Sequence, residues 1–381
     1  MKKTKLQKTE EINLQFKLLS AIGILMIVGG HCYQGGFSLA YDWFPPYSFH
    51  LALFVFISGY FYKPDHERKM ARYLGNRAKR LLLPAYLWNI VYGLLVLLLN
   101  RFGYTIGGKV DAYSLFVMPF VDGEAFRYNL GSWFVYPLFM VCVINVLFRK
   151  LLGLIKADNE WLITAIYLAE GMLAIGLAIQ LKESGGVTGW VKLMLRTMFF
   201  LPCFQFGRLY YSKLEKYDKL NSVAYFAVLL AIQLTIITFV EKLDYTPSTM
   251  SNFHNGFMLP YVTALTGIAF WLRVTRILAK SVGSWKCVRL LADNTYSIMV
   301  HHLMGFMAVK WMFYALSANT GLFQDFDAHR LHTSIWYYYL PNGKIQWAIV
   351  YLVAGILVPL LIQFICNFCK KKLCVFLKKH K

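Results

Sequence analysis

Three histidines, His31, His50 and His302, lie within apolar stretches of this 381-residue sequence. An ionisable side chain at membrane depth is energetically costly, and it usually faces a cavity or a polar partner. A neutral imidazole is the usual general base near neutral pH, so it can take the proton from a hydroxyl group that attacks an acyl carbonyl. A second imidazole can fix the tautomer of the first or donate to the developing oxyanion. These residue types therefore indicate proton chemistry.

All three histidines are expected at the same depth in the membrane. Each lies 13 or 14 residues along the chain from a flanking basic residue that we assign to the cytosolic side. At about 1.5 Å per helical residue, each imidazole is then about 20 Å from that membrane face. Since the hydrocarbon core is about 30 Å thick, all three lie in its outer half. The shared depth favours one polar chamber over three unrelated packing positions.

Each of these side chains also has a structural alternative. A single intramembrane histidine often only hydrogen-bonds a neighbouring helix, and this alternative stays open for His50 near the end of its span. His301 is adjacent to His302, and side chains of helical neighbours point about 100° apart, so only one of the two is expected to face the core. Glu170 is a further intramembrane candidate, for which a salt bridge or hydrogen bond within the bundle is the alternative.

The composition indicates a polytopic helical membrane protein. Hydrophobic residues make up 58% of the chain, charged residues 15%, and the mean hydropathy is +0.47, which is too apolar for a soluble domain of this length. We predict an all-α bundle that forms one transmembrane domain over residues 1–381, with a cytosolic segment 1–15 and a basic cytosolic tail 369–381. About ten spans are predicted, at residues 16–34, 47–62, 81–99, 131–148, 161–180, 193–210, 222–240, 257–272, 289–314 and 345–368.

The distribution of charge predicts the orientation. The net charge of +21 is spread along the flanks of the spans, so it does not indicate binding to nucleic acid. With both termini in the cytosol, 30 of the 40 Lys and Arg residues lie on the cytosolic side. This bias follows the positive-inside rule and predicts the orientation of a multi-pass protein, with membrane lipids as partners. We expect its location to be the plasma membrane of a bacterial cell. No metal site is predicted at Cys366, Cys369 and Cys374, which lie beside the basic tail.

A basic segment on the predicted cytosolic side could bind a polyphosphate. Arg77 and Arg80 are three residues apart, so they share a face if the segment is helical. Paired guanidinium groups bind phosphate in bidentate fashion. The alternative, which charge alone favours, is that these residues hold anionic lipid headgroups. Ser58 and Gly59 lie near the same membrane face, where small residues permit close approach of a helix or of a slender ligand.

Two long loops on the predicted outer side, 102–129 and 316–343, mix acidic residues with aromatic ones. The carboxylates are those of Asp111, Asp122, Glu124, Asp325 and Asp327. This mixture suits a site for a sugar. The alternative is a solvated loop with aromatic residues at the membrane interface.

Five segments resemble the acyltransferase family 3 of membrane proteins, in matching order along most of the chain. Residues 16–31 resemble the family's opening helix, which ends in its catalytic histidine, and residues 49–60 resemble an apolar run that closes in Ser-Gly-Tyr. Residues 77–84 are similar to its Arg-x-x-Arg stretch before a proline, 132–136 to its Trp-Phe-Leu segment, and 294–302 to its late helix ending in histidine. The resemblance points to the branch of fucose 4-O-acetylases and polysaccharide O-acetyltransferases.

This resemblance implies a membrane O-acyltransferase. Such proteins move an acyl group, commonly acetyl, from cytosolic acyl-CoA to a hydroxyl of an extracytoplasmic or membrane-linked glycan. The resemblance implies that Arg77 and Arg80 hold the CoA phosphates and that the thioester passes Ser58 and Gly59. His31 would activate the acceptor hydroxyl or relay the acyl group, and no metal takes part.

One position departs from the family pattern. The family's arginine, eleven residues before the first histidine, is replaced here by Ser20. Lys17, one turn earlier, could substitute only in part, because a lysine lacks the bidentate fork of arginine. This departure leaves open the alternative that the protein is an inactive or transport-only relative.

An alternative function is the export of a glycan or of a lipid-linked sugar. An exporter would share the spans and a polar cavity, and such transporters often show inverted repeats and helices broken by Gly or Pro. The sequence shows no convincing repeat, although Pro137, Pro202 and Pro260 could break spans. A purely structural membrane protein would explain the spans but not the layer of histidines.

Overall fold

The computed structural model of the protein describes residues 5–32, 43–123, 125–240 and 242–379, and these residues form helices and no β-strand. The helices are α1 (Lys5–His31), α2 (His50–Tyr60), α3 (Asp65–Arg68), α4 (Met70–Arg80), α5 (Leu82–Asn100), α6 (Ala112–Phe116), α7 (Met118–Val121), α8 (Val135–Leu154), α9 (Glu160–Glu183), α10 (Gly189–Leu209), α11 (Ser222–Phe239), α12 (Leu259–Val282), α13 (Lys286–Asp293), α14 (Thr295–Thr320), α15 (Ala328–Thr333) and α16 (Ala348–Lys379). The predicted fold class, an all-α polytopic bundle, is confirmed.

Within the described ranges, seven helical stretches are long and apolar enough to cross a membrane, and each overlaps a predicted span. They are Glu10–His31, Met70–Asn100, Arg127–Leu154, Glu160–Glu183, Ser222–Phe239, Leu259–Val282 and Ile345–Lys372. The other three predicted spans coincide with α2, α10 and α14, which lie outside this set. The 11 residues of α2 rise only about 16 Å. A count of ten and cytosolic termini stay predictions, and residues 33–34 of the first predicted span lie outside the described part of the chain.

The predicted span 289–314 is interrupted at Asn294. α13 ends at Asp293 and α14 begins at Thr295. Asn294 has φ −118° and ψ 17°, and its side chain donates to the carbonyl of Leu290 at 2.7 Å. The prediction of one continuous span was therefore wrong here, and the depth of His302 cannot be counted along a single helix from a basic residue in α13.

The bundle has two packing centres, one around α10 and one around α14, and helix backbones are in close contact at the first. α10 packs against α2, α8 and α9, while α14 packs against α1 and α16. Where α2 crosses α10, a Cβ atom added to Gly59 would lie 1.8 Å from the carbonyl oxygen of Phe204. A Cβ atom added to Gly207 would lie 1.9 Å from the carbonyl oxygen of Phe56. Glycine at both positions therefore lets the two helix backbones touch.

Replacing Gly59 with valine is expected to destabilise the protein by about 1–3 kcal/mol, because the backbones of α2 and α10 must separate to admit the side chain. Thermal unfolding of the purified protein in detergent measures this change as a lower melting temperature. Gly176→Val in α9 is the matched control, since no atom lies within 4 Å of a Cβ built at Gly176. Equal melting temperatures for the two variants would contradict the assigned contact.

A buried ion network joins α8, α9 and α10. Glu160 pairs with Arg149 (Nη2 to Oε2, 2.7 Å) and with Arg208 (Nε to Oε1, 2.9 Å). Gln205 accepts from Arg149 at 2.6 Å and donates to Glu160 at 3.0 Å. Both arginines are among the 30 basic residues that the sequence analysis counts on the cytosolic side. Part of that charge bias therefore comes from arginines that are buried in an ion network. Glu170, also in α9, is half-buried, and the salt bridge or hydrogen bond considered for it is not found among the described residues.

Candidate functional site

The structure brings His31, at the end of α1, into contact with His302, in α14. Their ring centroids are 5.1 Å apart and the ring planes are inclined by 19°, so the two imidazoles stack. Tyr47 links them to His50, the first residue of α2, because its ring centroid lies 5.2 Å from that of His50 and 6.4 Å from that of His31. The convergence that the common depth predicted is present in the structure. The catalytic role of the three histidines stays a prediction.

Two tyrosine hydroxyls hold the end of α1. The last carbonyl groups of a helix have no partner within the helix. Tyr47 donates to the carbonyl of Gly30 at 2.8 Å, and Tyr338 donates to the carbonyl of His31. These bonds therefore hold the backbone at the end of α1, where His31 lies.

The imidazole nitrogens have unequal partners. Nδ1 of His302 lies 2.8 Å from the carbonyl of Met299, and Nδ1 of His50 lies on the carbonyl of Pro46, so each neutral ring donates Nδ1–H there. Nε2 of His302 is then a proton acceptor. It is buried and has no hydrogen-bond partner among the described residues, and the same holds for Nδ1 of His31. Unsatisfied nitrogens inside a buried site are available to a hydroxyl of a substrate.

His301 points away from this cluster. Its Nδ1 lies 2.8 Å from the hydroxyl oxygen of Tyr92, and its ring centroid lies 4.1 Å from that of Trp88, both in α5. Like His302, it is 1% exposed. The expectation that only one of the two histidines faces the core was therefore wrong, because α5 covers the second one.

One cavity of about 50 Å³ is lined by all three candidate histidines, and we call it the histidine cavity. Trp133 and residues 246–248 complete its wall. The guanidinium carbon of Arg196 lies 4.8 Å from the ring centroid of Trp133, and Arg196 donates to the carbonyl of Ser248. Sequence reasoning gave Arg196 no role, since these partners are a ring and a carbonyl from distant segments.

A second cavity, of about 240 Å³, adjoins the histidine cavity, and we call it the inner cavity. Ile27, Phe134 and Met299 line both cavities. The remaining lining is largely apolar and includes Ser58 and Leu81. A narrow apolar space with a few polar groups suits a slender, mostly apolar ligand.

One stripe of α1 runs through both cavities. Ser20, Ile24 and Ile27 line the inner cavity, while Ile27 and His31 line the histidine cavity. Spacings of four, three and four residues place these side chains on one face of the helix. The stripe therefore leads from the inner cavity to the ring of His31.

The donor-binding residues predicted in α1 and α2 do not all line the same cavity. Ser58 lines the inner cavity, whereas Gly59 packs on α10, so the structure gives this glycine the close helix approach rather than the ligand. Lys17 pairs with Asp293 of α13 (Nζ to Oδ1, 3.0 Å). Ser20, at the position of the family arginine, faces the inner cavity.

Arg77 and Arg80 lie in α4, just before Leu81, which lines the inner cavity. The guanidinium carbon of Arg77 lies 5.3 Å from the ring centroid of Tyr73, and His66 stacks on the same ring at 4.4 Å. Arg80 is exposed. Neither arginine is part of the described lining of the inner cavity, and their binding to phosphate stays a prediction.

A buried lysine anchors the loop that covers His31. Lys310 is 0% exposed, its Nζ donates to the carbonyl of Ile335 at 2.6 Å, and it lies 5.2 Å from the ring centroid of Tyr338. The ring of Trp336 in this loop is 6.0 Å from that of His31. Sequence analysis missed this contact, although a lysine within a span was a usable signal.

The acidic residues of the outer loops do not form one group. Asp111 and Asp122 line the same cleft. Asp325 accepts from the hydroxyl of Tyr339, and Asp327 caps α15, so both have structural partners. Glu124 lies outside the described residues.

The sequence matches the family model described as "Acyltransferase domain", known as acyltransferase 3, over residues 13–364. Comparisons with curated proteins and with solved structures return no significant match. The match spans nearly the whole chain, including all three histidines and both cavities, while the fucose O-acetylase-like branch stays a prediction. The chain therefore belongs to the acyltransferase 3 family of membrane acyltransferases.

Proposed function

We propose that this protein is an O-acyltransferase that moves an acetyl group from cytosolic acetyl-CoA to a hydroxyl of a cell-surface or lipid-linked glycan. The observation that carries the proposal is that the two cavities are adjacent and share Ile27, Phe134 and Met299 in their linings. The apolar inner cavity suits the pantetheine arm and the acyl group of the donor. The histidine cavity offers the proton acceptors that the reaction needs. Membership of the family supports the class of reaction.

His31 is the proposed base, because it ends the α1 stripe along which the thioester would arrive. Its free ring nitrogen takes the proton of the acceptor hydroxyl while the hydroxyl oxygen attacks the thioester carbonyl carbon. The carbon–sulfur bond then breaks, and the imidazolium returns the proton to the thiolate. The products are the glycan ester and free CoA. His302 stacks on His31, and His50 lines the same cavity.

In this proposal the cationic residues contribute unequally to binding of the donor. Arg77 and Arg80 hold the CoA phosphates at the cytosolic end of the inner cavity, where two guanidinium groups suit a polyphosphate. Lys17 is a weaker contact, because its ion pair with Asp293 already uses its charge. Because Ser20 stands at the position of the family arginine, the inner cavity lacks that cation. Binding of the donor therefore depends more strongly on Arg77 and Arg80.

The direct test uses the purified protein in lipid nanodiscs, supplied with acetyl-CoA and with glycans released from the surface of the producing cell. We expect release of CoA thiol that is faster with the glycan than without it, and a new acetyl ester on the glycan by mass spectrometry. An exporter has no need of acyl-CoA. A protein that shows no binding of acetyl-CoA and no thiol release would refute the transferase and favour export.

Ser58→Phe is expected to lower acetyl transfer at least about tenfold, which corresponds to about 1.4 kcal/mol of lost donor interaction. The phenyl ring would occupy the inner cavity at the position where the thioester passes. The steady-state rate at varied acetyl-CoA concentration, together with the apparent affinity for acetyl-CoA, measures the effect. Ser281→Phe, at an exposed position of α12, is the matched control. Unchanged donor affinity in Ser58→Phe would rule out the inner cavity as the donor path.

A further inference from the structure

A third cavity lies apart from the two already described, on the predicted outer side of the membrane. Its volume is about 530 Å³, and we call it the outer cleft. Its lining comes from residues 106–122, from Ala125 and Arg127, and from residues 188–192 at the start of α10. Both segments belong to loops that the charge distribution assigns to the outside.

Charged side chains line the outer cleft. Lys109 pairs with Asp111 at 3.2 Å, and Lys192 pairs with Asp122 at 3.6 Å. Arg127 adds a cation, so the described lining holds three cationic and two anionic side chains. The Lys192 and Asp122 side chains are only 12% and 19% exposed, which places this pair at the base of the cleft. Such a lining suits a ligand that carries both hydroxyls and an anionic group.

The backbone holds these charged groups in place. Asp111 accepts from the backbone N–H of Ser114 at 2.8 Å, and the Ser114 hydroxyl accepts from the backbone N–H of Asp111 at 2.8 Å. Asn89 of α5 donates to the carbonyl of Ser114 at 3.1 Å, and Asp122 accepts from the N–H of Gly189 at 2.9 Å. The arrangement is therefore formed before a ligand arrives, which lowers the cost of ordering it on binding.

Arg196 joins the outer cleft to the histidine cavity. Its Nη1 donates to the backbone carbonyl of Asp122 at 2.6 Å, and its Nη2 donates to the carbonyl of Ser248. Asp122 lines the outer cleft, whereas Ser248 and Trp133 line the histidine cavity. One buried guanidinium thus bridges the linings of the two cavities, so a chain-like ligand that extends beyond the cleft would lead toward the histidine cavity.

We propose that the outer cleft binds an acidic saccharide, namely the part of the acceptor glycan next to the sugar that is acylated. The acceptor role rests on the proposed function. The carboxylates of Asp111 and Asp122 accept from sugar hydroxyls, while Arg127 and Lys192 bind a uronate carboxylate or a phosphate. Tyr113, which is 52% exposed, offers an apolar face to a pyranose ring.

The test measures binding of two soluble tetrasaccharides by isothermal titration calorimetry to the full-length protein in nanodiscs of zwitterionic lipid. One probe alternates glucuronate with N-acetylglucosamine, and the other is neutral maltotetraose. We expect the acidic probe to bind at least about tenfold more tightly, a difference of about 1.4 kcal/mol. Arg127→Gln and Lys192→Met should each weaken the acidic probe by a similar factor and leave the neutral probe unchanged. Lys344→Gln, which is exposed and lies outside the cleft, is the control and should change neither affinity.

Equal affinity for the two probes, or binding of neither, would overturn the proposal. Loss of the acidic probe in nanodiscs that contain anionic lipid would assign the cleft to lipid headgroups instead. Slow release of CoA thiol to water, measured without any saccharide, reports on the proposed function separately. The cleft variants should retain it. A wild-type protein that releases no thiol in any assay would refute the transferase and leave the binding result standing.

Discussion

His31→Ala is expected to lower acetyl transfer by about 10²–10⁴-fold, the contribution typical of a general base. The variant removes the proton acceptor at the end of the stripe that joins the two cavities. It leaves the main-chain bond from Tyr338 to residue 31 intact, since that bond ends on the carbonyl. The loss should therefore appear in the turnover number, with little change in the affinity for acetyl-CoA.

The measurement is the rate of ester formation at saturating acetyl-CoA, with the amount of folded protein checked by size-exclusion chromatography. His302→Ala should show a loss of similar direction, because it removes the ring that stacks on His31. His301→Ala is the informative comparison, since this adjacent and equally buried histidine bonds to Tyr92 outside the cavity. His254→Ala, at an exposed position, should leave the rate of ester formation unchanged. Normal transfer by a folded His31→Ala protein would remove His31 from the mechanism.

Counting residues from basic flanks located the candidate histidines, because helical rise converts sequence distance into depth. For His31 the count runs along one continuous helix, α1. For His302 it does not, because α13 and α14 are separate helices, so the membrane depth of these residues stays a prediction. The apolar spans were similarly readable, since hydropathy depends on local composition and not on partners.

Sequence reasoning could not find the supports of the site, because their partners are carbonyls and rings far away in sequence. Arg196 has no role in the sequence analysis, yet it donates to carbonyl groups in the linings of two cavities. Lys310 also has no role in the sequence analysis, yet it anchors the loop over His31. Gly59 illustrates a different limit of sequence analysis. A small residue permits the close approach of either a ligand or a helix, and only the packing of α10 against Gly59 shows which of the two is present.

Glu160→Gln is expected to destabilise the folded protein by about 3–5 kcal/mol, the cost of leaving buried charges without their partner. Arg149 and Arg208 both bond to this carboxylate, and an amide cannot balance two guanidinium charges. All three side chains are at most about 10% exposed, so water cannot replace the lost interaction. Thermal unfolding in detergent measures the change. Glu183→Gln, at the exposed other end of α9, should leave the melting temperature unchanged.

The same network also bears on the donor path. Arg208 donates to the carbonyl of Tyr62 at 3.1 Å, two residues beyond the end of α2, the helix that carries Ser58. Loosening this end of α2 should weaken acetyl-CoA binding in the surviving folded protein as well as lower the melting temperature. Adding Arg208→Met to Glu160→Gln removes one of the two unbalanced charges, so the double variant should recover part of the stability but not the donor affinity. Recovery of both, or of neither, would show that the network does not hold α2 through Arg208.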